Sequence, residues 1–343
     1  MSSIKILNWD NKKLEPVIIT YNRAESLAAT LAAFYNAGLS SMRLHVLDNA
    51  STDNTKQIVE EYSDKWPLLI YHKNKYNIGG NANILRAVEF SSSEYSWVIG
   101  DDDEWYLENI SELISILNNG DSDIIRLGWL VTNNSRGRSI TLKELFNEEQ
   151  TLFASLSMIS STITRRSLIV KYLQYSYTNI ANSFPQLVPY IMSLNSENMT
   201  VCSVSKDIMK HTPGKAGDQG YFLGDLEFFS HWFYTSRFLN NKYRKKFNDE
   251  ILYYATKENK LLAHFIYFLK IIWYFKVAGL DQSAYIYLMF LTGNGHRLFL
   301  GALLILYYLM PKKLYSIIYN FRQYYNGNNI CPIRPISRNI KRL

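Results

Sequence analysis

Over the first 130 residues, short β-branched runs alternate with amphipathic stretches of helical period, and this alternation narrows the possible folds more than any other feature. Pro16-Val17-Ile18-Ile19-Thr20 predicts a buried first strand. Leu27, Leu31 and Phe34 then share one helical face, which Gly38 ends, and Asn22 with Glu25 predicts a capping box at its start. Met42 to Leu47 makes a second strand, followed by the polar run Asp48 to Thr55 and a helix from Lys56 to Tyr62. Leu68 to Tyr71 makes a third strand, and Asn77 to Asn81 opens a helix through Leu85 and Val88. Tyr95 to Gly100 reads as a fourth strand and Asp123 to Leu127 as a fifth. The expected fold class is therefore α/β, a Rossmann-like, doubly wound, mostly parallel sheet with a helical C-terminal extension. Neither a GxGxxG fingerprint nor a P-loop occurs, so neither a dinucleotide cofactor nor an ATP-binding loop is indicated.

The strand ends carry the chemistry. Thr20 to Arg23, Asp48 to Asp53, Asn77 to Asn83 and Asp101 to Asp103 each follow a strand, and a doubly wound sheet brings such loops to one edge. Asp101, Asp102 and Asp103 repel one another unless a cation or hydrogen-bond donors offset their charge. Carboxylates suit hard cations such as Mg²⁺ or Mn²⁺, and a diphosphate needs such a cation. The triplet reads equally as a solvated turn whose last Asp caps the following helix.

Taken in order, Thr20-Tyr21-Asn22-Arg23, Asp48-Asn49-Ala50-Ser51-Thr52-Asp53, Asn77-Ile78-Gly79-Gly80-Asn81 and Asp101-Asp102-Asp103 resemble the signature of family 2 glycosyltransferases with the GT-A fold. The similarity covers about residues 14–130. It implies that Thr20, Tyr21, Arg23, Asp48, Asn77, Gly79 and Asp101 bind the nucleotide, with Asp48 on the base. It implies that Asp102 and Asp103 hold a divalent metal, Asp102 directly and with a catalytic role. Asn22 and Asp53 read as helix caps, Gly79 and Gly80 as a tight turn, and His45 as a packed or edge histidine.

Beyond Asn133 the pattern is less regular. Phe153 to Arg166, rich in small and hydroxyl residues, resembles the segment below the acceptor site and reads also as an ordinary strand with a polar face. Ser183-Phe184-Pro185-Gln186-Leu187 sits where many inverting members carry an acidic pair, and bacterial O-antigen transferases, abequosyltransferases among them, have a related Tyr-Pro-His version. Gln186 occupies the catalytic position but cannot act as a base at neutral pH. Asp218, between Gly217 and Gly220, is the first choice for the base, with His211, Asp225 and Glu227 behind it. A solvated loop carboxylate is the plain alternative for each.

The net charge of +7 comes from one end. Residues 282–343 contain eight Lys/Arg and no Asp or Glu, leaving 29 bases and 30 acids in residues 1–281. That tail, beside aromatic and apolar stretches such as Leu298 to Met310, suits an anionic membrane surface, or a helical bundle covering the sheet. Leu298 to Met310 is short of the ~20 residues needed to span a bilayer. Two cysteines, Cys202 and Cys331, exclude a zinc-finger framework and fit a reducing compartment. Met1 to Asp10 lacks an apolar core of signal-peptide length. The expected organisation is a nucleotide-sugar-binding half (1–130), an acceptor-binding half (131–240) and a helical, basic region (241–343). The expected activity is sugar transfer from a nucleotide diphosphate sugar to a glycan or lipid-linked acceptor of bacterial O-antigen or capsule, on the cytoplasmic face of the membrane, without nucleic acid. Two other readings stay open, a GT-A-like scaffold and a sugar-phosphate nucleotidyltransferase.

Overall fold

The computed structural model describes residues 9–196, 198–211 and 230–256, with Phe268, residues 286–287, 289–290 and 297–309, and Pro311. The chain forms two compact units, residues 1–216 and 217–343. In the first, β1 (Val17–Thr20), β2 (Leu44–Asp48), β3 (Leu69–Lys73) and β5 (Val98–Gly100) form a parallel sheet of order β3-β2-β1-β5. Thr20 pairs with Asp48, and Ile19 with Gly100, so three strands end level with one another. β1 and β5 are nearly all apolar because both their faces are covered, whereas β3, half-buried, carries Tyr71, His72 and Lys73. On one face Ile18, Leu44, Val46 and Ile99 pack with Leu27, Leu31 and Phe34 of α1 (Ala24–Asn36) and Val59 of α2 (Thr55–Ser63). On the other, Val17, Leu47 and Val98 pack with Ala87 and Val88, at the end of α3 (Gly80–Ala87). Each such side chain, fully buried, contributes about 1.5–3 kcal/mol. Gly38 stops α1 as expected, at φ 81°, a left-handed conformation that costs glycine nothing.

Two strand expectations are corrected. Tyr95 to Gly100 is not one strand: β4 (Tyr95–Ser96) pairs antiparallel with β9 (Thr162–Arg165), whereas β5 pairs with β1. Trp97 stands at the changeover, fully buried, its Nε1 donating to Ser160 O at 3.0 Å. The expected fifth strand, β7 (Ile124–Arg126), belongs to the second sheet. That sheet is mixed, in the order β4-β9-β7-β10-β8, with β8 at Ser139–Thr141 and β10 at Thr200–Ser203. A further antiparallel pair, β6 (Glu104–Trp105) and β11 (Met209–Lys210), lies just beyond the Asp triplet.

The Asn22–Glu25 capping box does not form. Asn22 adopts φ 51°, which asparagine tolerates better than most residues. Its Oδ1 accepts from Thr52 N at 2.8 Å instead. The Ala24 N–H at the start of α1 donates to Asp53 Oδ2 at 3.0 Å, and Thr55 N, which opens α2, donates to Asp53 Oδ1 at 3.1 Å. Asp53 is thus a cap, as expected, but for two helices at once.

In the second unit, the indole of Trp232 stacks on Phe247 at 4.5 Å and donates to its carbonyl at 2.9 Å. Phe247 lies on the helix Asn241–Thr256, and a shorter apolar helix covers Arg297–Leu309.

Candidate active site

The level ends of β1, β2 and β5 bring Thr20, Asp48 and the Asp triplet to one edge. Asp101 is buried; its Oδ2 accepts from the Thr20 hydroxyl at 2.6 Å and its Oδ1 from Arg23 Nη1 at 3.2 Å. Burial pushes the Asp101 carboxyl up, against the hydrogen bond from Thr20 and the charge of Arg23. Arg23 Nη1 also donates to Asp102 Oδ2 at 2.6 Å. Partial burial opposes the Arg23 charge, but Asp102 and Asp101 outweigh it and hold its pKa above the usual arginine value. The Arg23 side chain is 52% exposed and that of Asp102 35%, so this ion pair faces solvent.

Asp103 points elsewhere. The register of β6 with β11 sets His211 beside it, Nδ1 at 3.2 Å from Asp103 Oδ1, and the imidazole meets Trp129 edge-on at 5.6 Å. Gly100 lies between the two outer carboxylates. A Cβ there would sit 3.4 Å from Asp102 Oδ1, Asp103 Oδ2 and Ser160 Oγ. Those two carboxylate oxygens have no hydrogen-bond partner among the described residues. Mg²⁺ or Mn²⁺ usually takes one or two carboxylates and fills its shell with phosphate oxygens and water. Asp102 and Asp103 fit that donor set with a diphosphate, although the described protein residues alone include no group of three such ligands.

Asp48 turns inward. It is fully buried, its Oδ1 accepting from Ser51 N at 2.7 Å and its Oδ2 from the Tyr71 hydroxyl at 2.5 Å. Burial and then the Asp48 carboxylate push the Tyr71 phenol up, so it stays a donor. Lys73 Nζ is 3.8 Å from Asp48 Oδ2 and donates to Ser51 O at 2.7 Å. Asp48 therefore shapes the Asn49–Asp53 turn from beneath. Next to it, Asn49 Nδ2 donates to Asn77 Oδ1 at 2.8 Å, Asn49 Oδ1 accepts from Asn74 and Ile78, and Asn74 also donates to Asn83. This asparagine network holds the exposed loop 75–80 against the sheet. Gly79, at φ 83°, ends that loop where α3 begins, and its N–H donates to Asn77 Oδ1. Tyr21, Arg23, Asn77 and Gly79 are exposed here, whereas Thr20, Asp48 and Asp101 are enclosed.

The acceptor-side expectations fare differently. The hydroxyls of Ser155, Ser160, Ser161, Thr162 and Thr164 are not laid along an open surface; those residues are all buried. Ser160 Oγ accepts from Gly100 N at 2.8 Å, so this segment supports the strand that carries the Asp triplet. Gln186 lies in a 3₁₀ turn, Pro185–Leu187; its Nε2 donates to Ser157 O at 2.7 Å and its buried Oε1 has no hydrogen-bond partner among the described residues. It lines a cavity of about 50 Å³ with Thr162, Thr164 and Tyr190. Asp218, Asp225 and Glu227 lie outside the described residues. Sequence reasoning missed Tyr71, Lys73, Asn74 and Ser160. The one signal available was the recurrence of asparagine after successive strands.

A parallel sheet whose carboxyl edge gathers an Arg–Asp cluster and two spare carboxylate oxygens is consistent with the expected GT-A fold. Residues 17–174 match the model described as Glycosyl transferase family 2. Abequosyltransferase RfbV of Salmonella typhimurium is 23% identical over 218 residues, 56% of this chain and 64% of that protein. The GalNAc(5)-diNAcBac-PP-undecaprenol beta-1,3-glucosyltransferase of Campylobacter jejuni is 28% identical over 109 residues, 32% of this chain and 35% of that protein. The alignments thus span less than two thirds of either relative. The crystal structure of S. aureus TarS 1-349 in complex with UDP superposes with a TM-score of 0.52 at 16% identity, covering 92% of both chains, a likeness of fold.

Proposed function

We propose that this chain transfers a glycosyl group from a nucleotide diphosphate sugar to a hydroxyl of a lipid-linked glycan in the assembly of a bacterial surface polysaccharide. One observation carries the reading: within residues 17–174, which match the family 2 model, half-exposed Arg23 meets buried Asp101 and partly exposed Asp102, more carboxylates than cations, at the level strand ends. The names of the relatives from Salmonella typhimurium and Campylobacter jejuni support the sugar-transfer and lipid-carrier parts, and UDP on TarS supports a nucleoside diphosphate.

In the reaction the acceptor hydroxyl oxygen forms a bond to the anomeric carbon, the bond from that carbon to the diphosphate oxygen breaks, and the hydroxyl proton passes to a base. Tyr21, Asn77 and Gly79 line the nucleotide, with Thr20 and Asp48 shaping the two loops from below. Arg23 lies within reach of a diphosphate and carries a fixed positive charge. A divalent cation held by Asp102 and Asp103 would offset the charge of the leaving diphosphate. Asp101 orients Arg23. Gln186 holds the acceptor segment through Ser157, and Asp218 is the proposed base. Much of the rate comes from holding the two reacting atoms in line.

The test is a thermal-shift screen of UDP, GDP, CDP, dTDP and their sugars, with and without Mn²⁺. Bound ligand stabilises the native state. At least one nucleotide diphosphate should raise Tm, more so with Mn²⁺. No shift from any of them would refute the donor assignment. Asp218→Asn should lower kcat strongly with little change in donor KM, and a near-native kcat would remove Asp218 as base.

A further inference from the structure

The helix Arg297–Leu309 has two apolar faces, and only one is packed. Phe299, Leu300, Leu303 and Tyr307 are buried, Phe299 against Phe268 at 5.6 Å. At ~100° per residue, Leu298, Ala302, Ile305 and Leu309 fall in a stripe about 60° wide on the opposite side. Leu298 is 94% exposed, Ile305 59% and Leu309 74%, and Tyr308 beside them 64%. Isolated exposed apolar residues are ordinary, but four in one stripe of one helix mark an interaction surface.

Charge identifies what covers it. Arg297 opens the helix, Lys312 and Lys313 follow it in sequence, and residues 282–343 contain eight bases and no acid. A second copy of this chain would add a second acid-free basic segment, and like charge disfavours self-association. The 13 described residues of the helix extend about 20 Å against a hydrocarbon core of about 30 Å, and none of the described helices is long and apolar enough to cross a membrane. An apolar stripe flanked by lysine and arginine is the pattern of a helix lying in the plane of an anionic lipid surface. We propose that Leu298, Ala302, Ile305 and Leu309 dock this chain on an anionic membrane, the apolar stripe entering the headgroup region and the bases that flank it in sequence adding attraction to the lipid phosphates. This docking is independent of the transfer chemistry.

The experiment is co-sedimentation of the full chain with vesicles of phosphatidylcholine alone or with phosphatidylserine at three parts in ten. The wild-type chain should pellet with the anionic vesicles at low salt, stay in solution with the neutral ones, and be released by 0.5 M NaCl as exposed charges are screened. The triple variant Leu298→Gln, Ile305→Gln, Leu309→Gln should lower the partition at least tenfold at unchanged Tm, since those positions are exposed. Lys312→Glu with Lys313→Glu should lower it severalfold. A wild-type chain that stays in solution with anionic vesicles, or a triple variant that binds as well as the wild type, overturns the proposal. So does light scattering that shows a dimer lost in the triple variant, which would make the face a self-association surface. Retention through both high salt and alkaline carbonate would mean insertion rather than docking and would also overturn it.

Discussion

Two of the arginine–carboxylate clusters at strand ends among the described residues differ in closure. At the end of β7, Arg126 and Glu149 are almost wholly buried, their charged atoms 2.9 Å apart. Thr132 and Ser135 donate to Glu149, and Arg126 reaches Ser155 Oγ and the Leu130 carbonyl. One cation faces one anion, and the surroundings are filled. At the end of β1 and β5, one arginine faces Asp101 and Asp102, with Asp103 adjacent, and Arg23 is half exposed. A balanced, enclosed pair serves the fold, whereas an unbalanced, open cluster leaves charge for a ligand to meet.

The comparison breaks most easily at the closed pair. Arg126→Leu leaves Glu149 buried without its cation and should cost about 3–5 kcal/mol, read as a shift in the urea midpoint. Pairing it with Glu149→Met should recover much of that loss. A cost below about 1 kcal/mol would mean the pair is not structural. At the open cluster the effects should invert. Asp102→Asn should lower turnover about 100-fold or more, as losing an electrostatic contact made in the transition state does, and remove the Mn²⁺-dependent part of nucleotide binding, with the urea midpoint nearly unchanged. Normal turnover in Asp102→Asn would place the open cluster with the closed one.

Asp48 sharpens the distinction because it is enclosed yet borders the open edge. Asp48→Ala frees the Ser51 N–H and the Tyr71 hydroxyl and should cost about 1–3 kcal/mol of stability. It should also weaken nucleotide binding in calorimetry while sparing metal affinity, because the Asn49–Asp53 turn lines the edge. A stability loss with intact nucleotide affinity would reduce Asp48 to a support for the turn.

The strands of the first sheet were legible because β-branched runs on a sheet covered on both faces need no partner to be recognised. The strand ends were legible because a parallel sheet sends its polar residues to one edge. What stayed hidden depends on partners distant in sequence. Tyr95 to Gly100 reads as one strand, but Arg165 and Thr164 claim its first part and Val17 and Ile18 its last. Asn22 reads as a cap until Asp53, on another loop, takes the Ala24 N–H. The hydroxyls of residues 155–164 read as a polar surface until Gly100, Trp97 and Arg126 are found to use them or their backbone. Arg126 itself reads as one more strand residue, since nothing local shows that Glu149 waits for it.

The smallest effect concerns a partly buried histidine pair. His45 Nδ1 lies 2.9 Å from His72 Nε2, the two rings stacked with centroids 5.2 Å apart. His45 is packed as expected, but against a histidine partner no local pattern announced. Glu15 and Arg43 face His45, and Arg86 and Phe90 lie near His72. Burial, then His72 and Arg43, against the pull of Glu15, lower the His45 pKa; burial and then Arg86 lower that of His72. Both folded-state values lie below the unfolded histidine value of about 6.5. Above that pH both states are neutral here and the pair's contribution is complete. As pH falls past it the unfolded chain takes up protons first, so stability declines until the folded pair protonates at its lower pKa. The urea midpoint should therefore drop between pH 7 and pH 5, and His72→Phe, which keeps a ring against Phe90, should flatten that drop. An unchanged slope in His72→Phe would assign the acid sensitivity to groups outside this pair.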